Sequence, residues 1–459
     1  MTTALTIKAL PYSPDPLALF ARLRKRPGAV LLDSGRPVAT GRYDILSSDP
    51  LATLEITPSG HSMFNSTQLQ LPATFNDMNS NTAGCTTALQ EWMLAQLPGT
   101  HEESELPFLG GLIGYWSYDL GRNNLATPSQ HASATALPLA RLGLYDWCIT
   151  IDHERQQTWL VAPPLRQQQV TEWLTHPLVE DDEHFYLTSP FRAELSQADY
   201  TERFHAVQRY IRAGDCYQIN LAQRFSASYQ GDEWQAYQRL RKATPTPFSG
   251  FMAWKNQAVL SLSPERFIQC RDGLVETRPI KGTRPRGSTQ EEDRALAEEL
   301  LSSSKDRAEN VMIVDLLRND LGRVCTPGTI RVPQLCQLES YPNVHHLVSV
   351  VQGQLAENHS PLSLLTAASP GGSITGAPKI RAMQIIDELE PCQRSVYCGS
   401  LGYLDTRGSM DTSIAIRTMV ADAGTLHVWA GGGLVADSKA KEEYAETLDK
   451  IRHLIGALE

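Results

Sequence analysis

From Ser196 onward the chain alternates apolar runs of strand length with stretches of helical period, and this alternation narrows the choice of fold more than any other feature. Helical patterns fall near residues 291–304, 306–320, 361–368, 378–388 and 438–457. Strand patterns fall near 216–226, 257–262, 266–270, 328–332, 345–353, 396–404, 411–420 and 425–430. With no internal repeat and no low-complexity tract, such a mixture indicates an α/β or α+β architecture. Ser196 opens this half with an S-x-x-D helix start, and Gly214 is a natural stop for a helix whose Phe204, Val207 and Ile211 share one face.

The N-terminal part reads as short strands separated by turns, near 29–32, 44–46, 52–56, 142–152 and 158–162. Glycines 110, 111 and 114 lie inside the apolar run 107–115, a pattern that signals close backbone packing. Between 163 and 196 the Pro163-Pro164 pair, the glutamines 167–169 and the acidic run 180–183 suggest a boundary. Two regions are therefore expected, 1–190 and 191–459, within one interleaved body.

The chain has 459 residues, with 41 Lys and Arg against 51 Asp and Glu, a formal net charge of −10. An acidic chain is a poor partner for nucleic acid or an anionic membrane surface. The eight cysteines contain no C-x-x-C pair, which argues against a zinc ribbon or a disulfide framework. No basic-then-apolar leader and no span of about 18 apolar residues appears. The expectation is a soluble protein of a reducing compartment, the cytoplasm.

Several stretches carry chemistry-bearing side chains. Glu309 shares a helix face with Met312, Ile313, Leu316 and Leu317, where a carboxylate needs a cation or a hydrogen-bond partner. Glu443, Glu446 and Lys450 share a face of the last helix; they suit either an ordinary Glu446–Lys450 ion pair or oxygen ligands for a hard cation such as Mg²⁺. The turn PGGSITGAPK (370–379) precedes a helix and can present backbone amides to an anion, but Ala377-Pro378 stands where a P-loop needs Lys-Ser/Thr. Gly431–Gly433 follow a strand and form a second candidate anion nest. Lys281, between Ile280 and Gly282, is a candidate buried amine, and Glu265 a candidate general acid. Gln218 and Asn220 share one face of a strand whose other face holds Tyr217, Ile219 and Leu221. Of the pair His345-His346, one member is expected to be structural.

Taken in order, GDCYQINLAQRF (214–225), LSPERF (262–267), TRPIKGT (277–283), DRAENVMIVDLLRNDLGRV (306–324), HHLVS (345–349), PGGSITGAPK (370–379), DTSIAIRT (411–418), AGGGLVADS (430–438) and EEYAETLDK (442–450) resemble the chorismate-utilising enzymes, most closely their aminodeoxychorismate synthase branch. Weaker echoes are PFLGGLIGYWSYDLG (107–121) and LYDW (144–147). The resemblance implies a large α/β (α+β) sandwich of two facing β-sheets with helices packed outside. It implies that Glu309, Glu443 and Glu446 surround Mg²⁺, with Glu309 and Glu446 favoured as direct ligands. It implies that Lys450, Arg417, the amides of Gly431, Gly432 and Gly433, and the Ser373/Thr375 loop receive the two carboxylates of chorismate, with Tyr397 and His346 lining its ring. A tryptophan-sized pocket is implied near Ser34, Tyr43, Pro247 and Phe248.

Within that family two positions separate the reactions. Isochorismate and salicylate synthases carry a water-activating lysine where this chain has Gln218, and anthranilate synthases carry alanine where it has Lys281. The resemblance thus implies amination of chorismate at C4, with Lys281 as nucleophile and Glu265 as proton donor, giving 4-amino-4-deoxychorismate for 4-aminobenzoate and folate synthesis. The alternatives are the large component of anthranilate synthase, which Lys281 disfavours, and a catalytically dead binding subunit, which the presence of Glu309, Arg417, Glu446 and Lys450 disfavours. No G-x-C-x-G elbow surrounds any cysteine, so ammonia is expected from a separate glutamine amidotransferase subunit or from solution.

Overall fold

Glycine and β-branched patterning in both halves of the chain resolves into two large antiparallel sheets. A computed structural model describes residues 5–37, 41–76, 83–97, 104–176, 183–341 and 344–459. In the first sheet the N-terminal strands Thr6–Leu10, Gln157–Ala162, Cys148–Asp152, Tyr43–Ser47 and Val30–Asp33 lead directly into Phe248–Trp254, Gln257–Ser263, Thr418–Asp422, Thr425–Leu434 and Gln218–Gln230. In the second, Ala52–Ile56, Ala140–Tyr145 and Gly111–Trp116 join Ser400–Asp405, Met410–Ile414, Arg266–Arg271, Leu274–Thr277, Val344–Gln354 and Ile280–Pro285. Each sheet is stitched from both halves, through the pairings of Val30–Asp33 with Phe248–Trp254 and of Gly111–Trp116 with Ser400–Asp405.

Apolar side chains fill two spaces. One lies between the sheets and includes Leu54, Leu112, Tyr115, Ile268, Tyr397 and Trp429. The other lies between the first sheet and outer helices and includes Phe20, Trp147, Trp234, Leu260 and Ile451. The C-terminal helices match the sequence pattern closely: Gln290–Ser302, Ser304–Gly322, Pro361–Ala368, Lys379–Leu389 and Ala440–Gly456. Ser196 and Asp199 form a reciprocal capping box at the start of Gln197–Ala213, and Gly214 ends that helix at φ +81°.

Four expectations are corrected. The run 142–152 is not one strand: it divides at Asp146–Trp147, sending Ala140–Tyr145 to one sheet and Cys148–Asp152 to the other. Trp147 fills the corner, its Nε1 donating to the Ser48 carbonyl at 2.8 Å and its carbonyl accepting from Ser47 Oγ at 2.8 Å. The stretch after 162 is not irregular either. Pro164 starts the helix Pro164–Thr175, because a proline at the first helical position lacks only an amide the helix would leave unbonded. Two short strands, Tyr186–Leu187 and Arg192–Ala193, then pair with Gln218–Gln230; residues 180–182 of the acidic run lie outside the described residues. The strand expected at 328–332 runs instead over Arg331–Ser340, and the one at 411–420 divides into Met410–Ile414 and Thr418–Asp422. The helix Glu233–Ala243, capped by Asp232, has no counterpart in the expected elements; it buries Trp234, Tyr237 and Leu240.

The glycine run behaves as its pattern suggested. A Cβ on Gly114 would stand 2.0 Å from the Arg141 carbonyl oxygen of the paired strand, whereas one on Gly456 would meet nothing within 4 Å. Gly114→Ala is expected to lower the unfolding free energy by about 2–3 kcal/mol through overpacking. Gly456→Ala, in open space, is expected to be neutral or slightly stabilising; urea denaturation of both variants checks the contrast.

Candidate functional site

The site is built where the strand Ile280–Pro285 loses register with its neighbour. Ile280 faces Val348, but Thr283 faces His346, so three steps on one strand match two on the other. The extra residue makes a bulge at Lys281-Gly282, a device that re-aims a side chain. Gly282 lies at φ +83°, and a Cβ there would come within 2.8 Å of Leu300 and 3.0 Å of Asp306. Only glycine fits this position.

The bulge sends Lys281 Nζ to the carbonyl oxygen of Ser373, 3.2 Å away. Burial lowers the pKa of the amine, while the negative charges of Glu265 and Glu309 partly restore it. Glu265, just ahead of the strand Arg266–Arg271 and buried, is pushed up to about 7 by burial, against the pull of Lys281 and the Ile280 amide. An amine shifted down and a carboxyl shifted up, each in the other's field, are a candidate acid–base pair.

Three carboxylates stand nearby on two helices. Glu309, on Ser304–Gly322, is raised by burial and by Glu443, and lowered by Lys281 and Lys305. Glu443, on Ala440–Gly456, is buried, accepts from Ser438 Oγ at 2.6 Å, and is raised by burial and by Glu446. Glu446 pairs with Lys450 at 2.7 Å, the ordinary i, i+4 ion pair, and Lys450 Nζ also donates to the Gly431 carbonyl at 2.7 Å. No three His, Cys, Asp or Glu side chains among the described residues form a ready-made metal cage. Mg²⁺ does not need one, since it is held by one or two carboxylates with waters and substrate oxygens.

Gly431, Gly432 and Gly433 are not a nest after a strand. They are inside the strand Thr425–Leu434, paired with Ala222, Leu221 and Asn220. Their missing side chains leave room: a Cβ on Gly432 would stand 3.1 Å from Glu443 Oε2 and 3.6 Å from Glu446 Oε1, and one on Gly433 2.8 Å from Gln218 Nε2. On its other side this strand is paired with Thr418–Asp422 only as far as Val428.

The turn after Pro370 contains a short 3₁₀ helix, Gly372–Ile374, then a two-residue strand, Gly376–Ala377, pairing with Gln218 and Ile219. Ser373 and Thr375 are buried there, and Thr375 Oγ1 donates to the Gly371 carbonyl at 2.9 Å. The strand Gln218–Gln230 is not half-exposed. Gln218 is 0% exposed, and neither atom of its carboxamide has a partner among the described residues; Asn220 Oδ1 is likewise unpartnered.

His345 is the structural histidine, bonded to Ser340 and Asp293. His346 lines the cavity between the sheets, its Nδ1 2.8 Å from Thr283 Oγ1. Burial and the Arg417 charge hold it near 4, so it is neutral at pH 7. Arg417 sits at φ +50°, outside the region non-glycine residues favour, and its guanidinium has no carboxylate or hydrogen-bond acceptor among the described residues. Tyr397 stacks on Trp429, 6.3 Å between ring centres and 9° from parallel.

A cavity of about 960 Å³ is lined by Tyr43, Pro247 and Phe248 together with Ile280, His346 and Arg417. Ser34 stands behind it, its amide bonded to Asp44 at 2.6 Å and its hydroxyl buried without a partner among the described residues. The sequence reading missed Thr283, Arg394 and Glu390. Thr283 ends a motif already singled out; Glu390 and Arg394 stand four residues apart, an ordinary ion-pair spacing, and the carbonyls of Ile374 and Asn220 that Arg394 also holds lie far off in sequence.

A family model for chorismate binding enzymes matches residues 39–456. The chain is 45% identical over 461 aligned residues to aminodeoxychorismate synthase component 1 of Salmonella typhimurium, covering 100% of this chain and 99% of that one. It is 36% identical to anthranilate synthase component 1 of Pseudomonas putida, covering 96% and 92%. Among solved structures, anthranilate synthase component I of Streptococcus pneumoniae superposes with a TM-score of 0.78 at 30% identity, covering 92% of this chain and 95% of that one. Motifs, two-sheet architecture and family model agree, and the chain belongs to the chorismate binding enzymes.

Proposed function

We propose that this chain is the synthase subunit of an aminodeoxychorismate synthase, converting chorismate and ammonia to 4-amino-4-deoxychorismate on the route to 4-aminobenzoate and folate. The observation that carries the reading is Lys281, aimed into the site by a bulge and set beside an acid whose pKa is about 7. Full-length similarity to aminodeoxychorismate synthase component 1 supports it.

In this mechanism neutral Lys281 attacks C2 of chorismate, both ring double bonds shift toward C4, and the C4 hydroxyl leaves as water with the proton of Glu265. Ammonia then adds at C4, both double bonds shift back, Lys281 leaves C2 as a neutral amine, and the new C4 ammonium returns a proton to Glu265. Two moderate displacements replace one difficult one. Lys450, Arg417, the backbone about Gly432 and the Ser373/Thr375 loop receive the carboxylates, while Tyr397 and His346 flank the ring. Gln218 cannot take a proton from water, which favours amination over hydration. When bound, Mg²⁺ supplies positive charge to the substrate carboxylate; the oxygen-only set Glu309, Glu443 and Glu446 fits it. Ammonia comes from a glutamine amidotransferase subunit or from solution. Among the described residues no helix is long and apolar enough to cross a membrane, and seven cysteines are free thiols, which supports a cytoplasmic setting. The part of the cavity lined by Tyr43 and Phe248, with Ser34 behind it, is the tryptophan pocket of this reading.

Incubation with chorismate, Mg²⁺ and ammonium at alkaline pH should yield a product that aminodeoxychorismate lyase turns into 4-aminobenzoate; fluorescent anthranilate would identify an anthranilate synthase instead. Lys281→Ala should lower C4 amination by at least about a hundredfold. At fixed free ammonia, the wild-type rate should fall as pH rises through about 7, where Glu265 loses its proton, and Glu265→Gln should lack that limb. Unchanged kinetics in Lys281→Ala would rule out the covalent step.

Glu309→Ala should raise the Mg²⁺ concentration for half-maximal rate by about tenfold or more; full turnover at wild-type Mg²⁺ would remove Glu309 from the metal site. Equilibrium dialysis with labelled tryptophan should show one bound per chain, lost in Phe248→Ala, and no retention by the wild type would remove the pocket assignment.

A further inference from the structure

Arg394 is a charged side chain only 1% exposed, placed on the turn after the helix Lys379–Leu389. Its Nε and Nη2 donate to the two oxygens of Glu390 at 2.9 and 2.6 Å. The remaining donors leave the pair: Nη1 goes to the Ile374 carbonyl at 2.8 Å, and Nη2 to the Asn220 carbonyl at 2.7 Å. The guanidinium carbon lies 4.7 Å from the ring centre of Tyr118 and 5.8 Å from that of Tyr397. Glu390 Oε1 also accepts the Ala222 amide at 2.8 Å.

A buried ion pair of this kind is weak evidence for stability, because apolar residues of the same volume often serve as well. What a fork of fixed donors does better than any apolar group is to hold several acceptors at set positions. The acceptors chosen here belong to the site. Ile374 closes the 3₁₀ turn Gly372–Ile374, whose preceding carbonyl, Ser373, takes Lys281. Asn220 lies on the strand that carries Gln218, directly opposite Gly433. Adjacent carbonyls of one turn are thus gripped by two basic side chains, Lys281 from the site and Arg394 from the core. The Asn220 amide in turn donates to the Thr375 carbonyl at 2.8 Å, closing the frame.

We infer that Arg394, held by Glu390, is the positioning residue that sets the Gly372–Ile374 turn against the strand Gln218–Gln230, and so sets the affinity of the site for its anionic substrate. The inference rests on the proposed role of the Ser373/Thr375 loop as a carboxylate receptor. Arg394 touches neither substrate nor reacting atoms, so its effect falls on binding more than on the chemical step.

The test is steady-state kinetics with chorismate well below the unfolding temperature. Arg394→Lys keeps the buried charge and its pairing with Glu390 but cannot reach both carbonyls. It should raise KM for chorismate about tenfold or more, with kcat within about threefold. Glu390→Gln keeps an acceptor oxygen and leaves both carbonyl bonds in place. It should lower the Tm while leaving KM within about twofold. An unchanged KM in Arg394→Lys, or an equal rise in Glu390→Gln, overturns the inference. If Arg394→Lys does not fold, hydrogen exchange on the substrate-free wild type decides. Amides of 372–377 should exchange as slowly as those of 218–224, and fast exchange in the turn overturns the inference. If the wild type makes a product other than 4-amino-4-deoxychorismate, the proposed reaction fails while the KM comparison still reports on Arg394.

Discussion

The antiparallel ladder between Gln218–Gln230 and Thr425–Leu434 is the interaction on which the site depends. It runs from Ile219↔Leu434 to Ser228↔Thr425. Where the three glycines enter it, the outer strand has no side chains, and the helix Ala440–Gly456 brings Glu443 and Glu446 against the backbone. The same strand holds the turn Gly376–Ala377 at one end and lends its Asn220 carbonyl to Arg394. Shifting this register by one residue would turn Gln218 and Asn220 away from the site and bring Ile219 in, so the chemistry and the sheet pairing are one constraint.

The site concentrates buried charge of both signs. The molecule carries a net −10; Lys281 lies in the field of Glu265, Glu309, Glu446 and Lys450, while Arg417 is buried near His346. Burial raises Glu265, Glu309 and Glu443, and neighbouring carboxylates raise Glu309 and Glu443 further. A cation beside Glu309 and Glu443 and a dianion beside Arg417 would relieve opposite imbalances, in the manner of a site completed by its ligands.

Much of this was legible in the sequence where signal and structure share a short window. The Ser196 capping box, the Gly214 stop, the five C-terminal helices and the glycine packing at Gly111 and Gly114 are local, and local rules found them. The corner at Trp147 was not legible, because Leu142 to Asp152 reads as continuous strand and only burial between two sheets bends it. The helix at Pro164 was misread because its prolines signal a loop as readily as a helix start. In the site, residue types offered Lys281, Glu265 and the carboxylates only as candidates, to which the family resemblance lent roles, and they gave no sign of the bulge that aims Lys281. The Arg394 frame is bonded to residues 20 and 174 positions away, a span no periodicity reports.

Gln218 and Lys281 divide between them what a single catalytic lysine could confuse. A lysine at 218, buried beside the first, would compete for the same proton and offer a base to water. A carboxamide keeps hydrogen-bonding capacity and has no basicity near neutral pH. Both polar atoms of Gln218 lack partners among the described residues, a desolvation cost of about 1–3 kcal/mol that a purely structural residue has no reason to bear. Its position against Gly433, across the strand from the carboxylates, makes that unspent capacity available to a small polar reactant. On the proposed mechanism the choice of nucleophile turns on which buried group can lose a proton, and Lys281 is the group assigned that role.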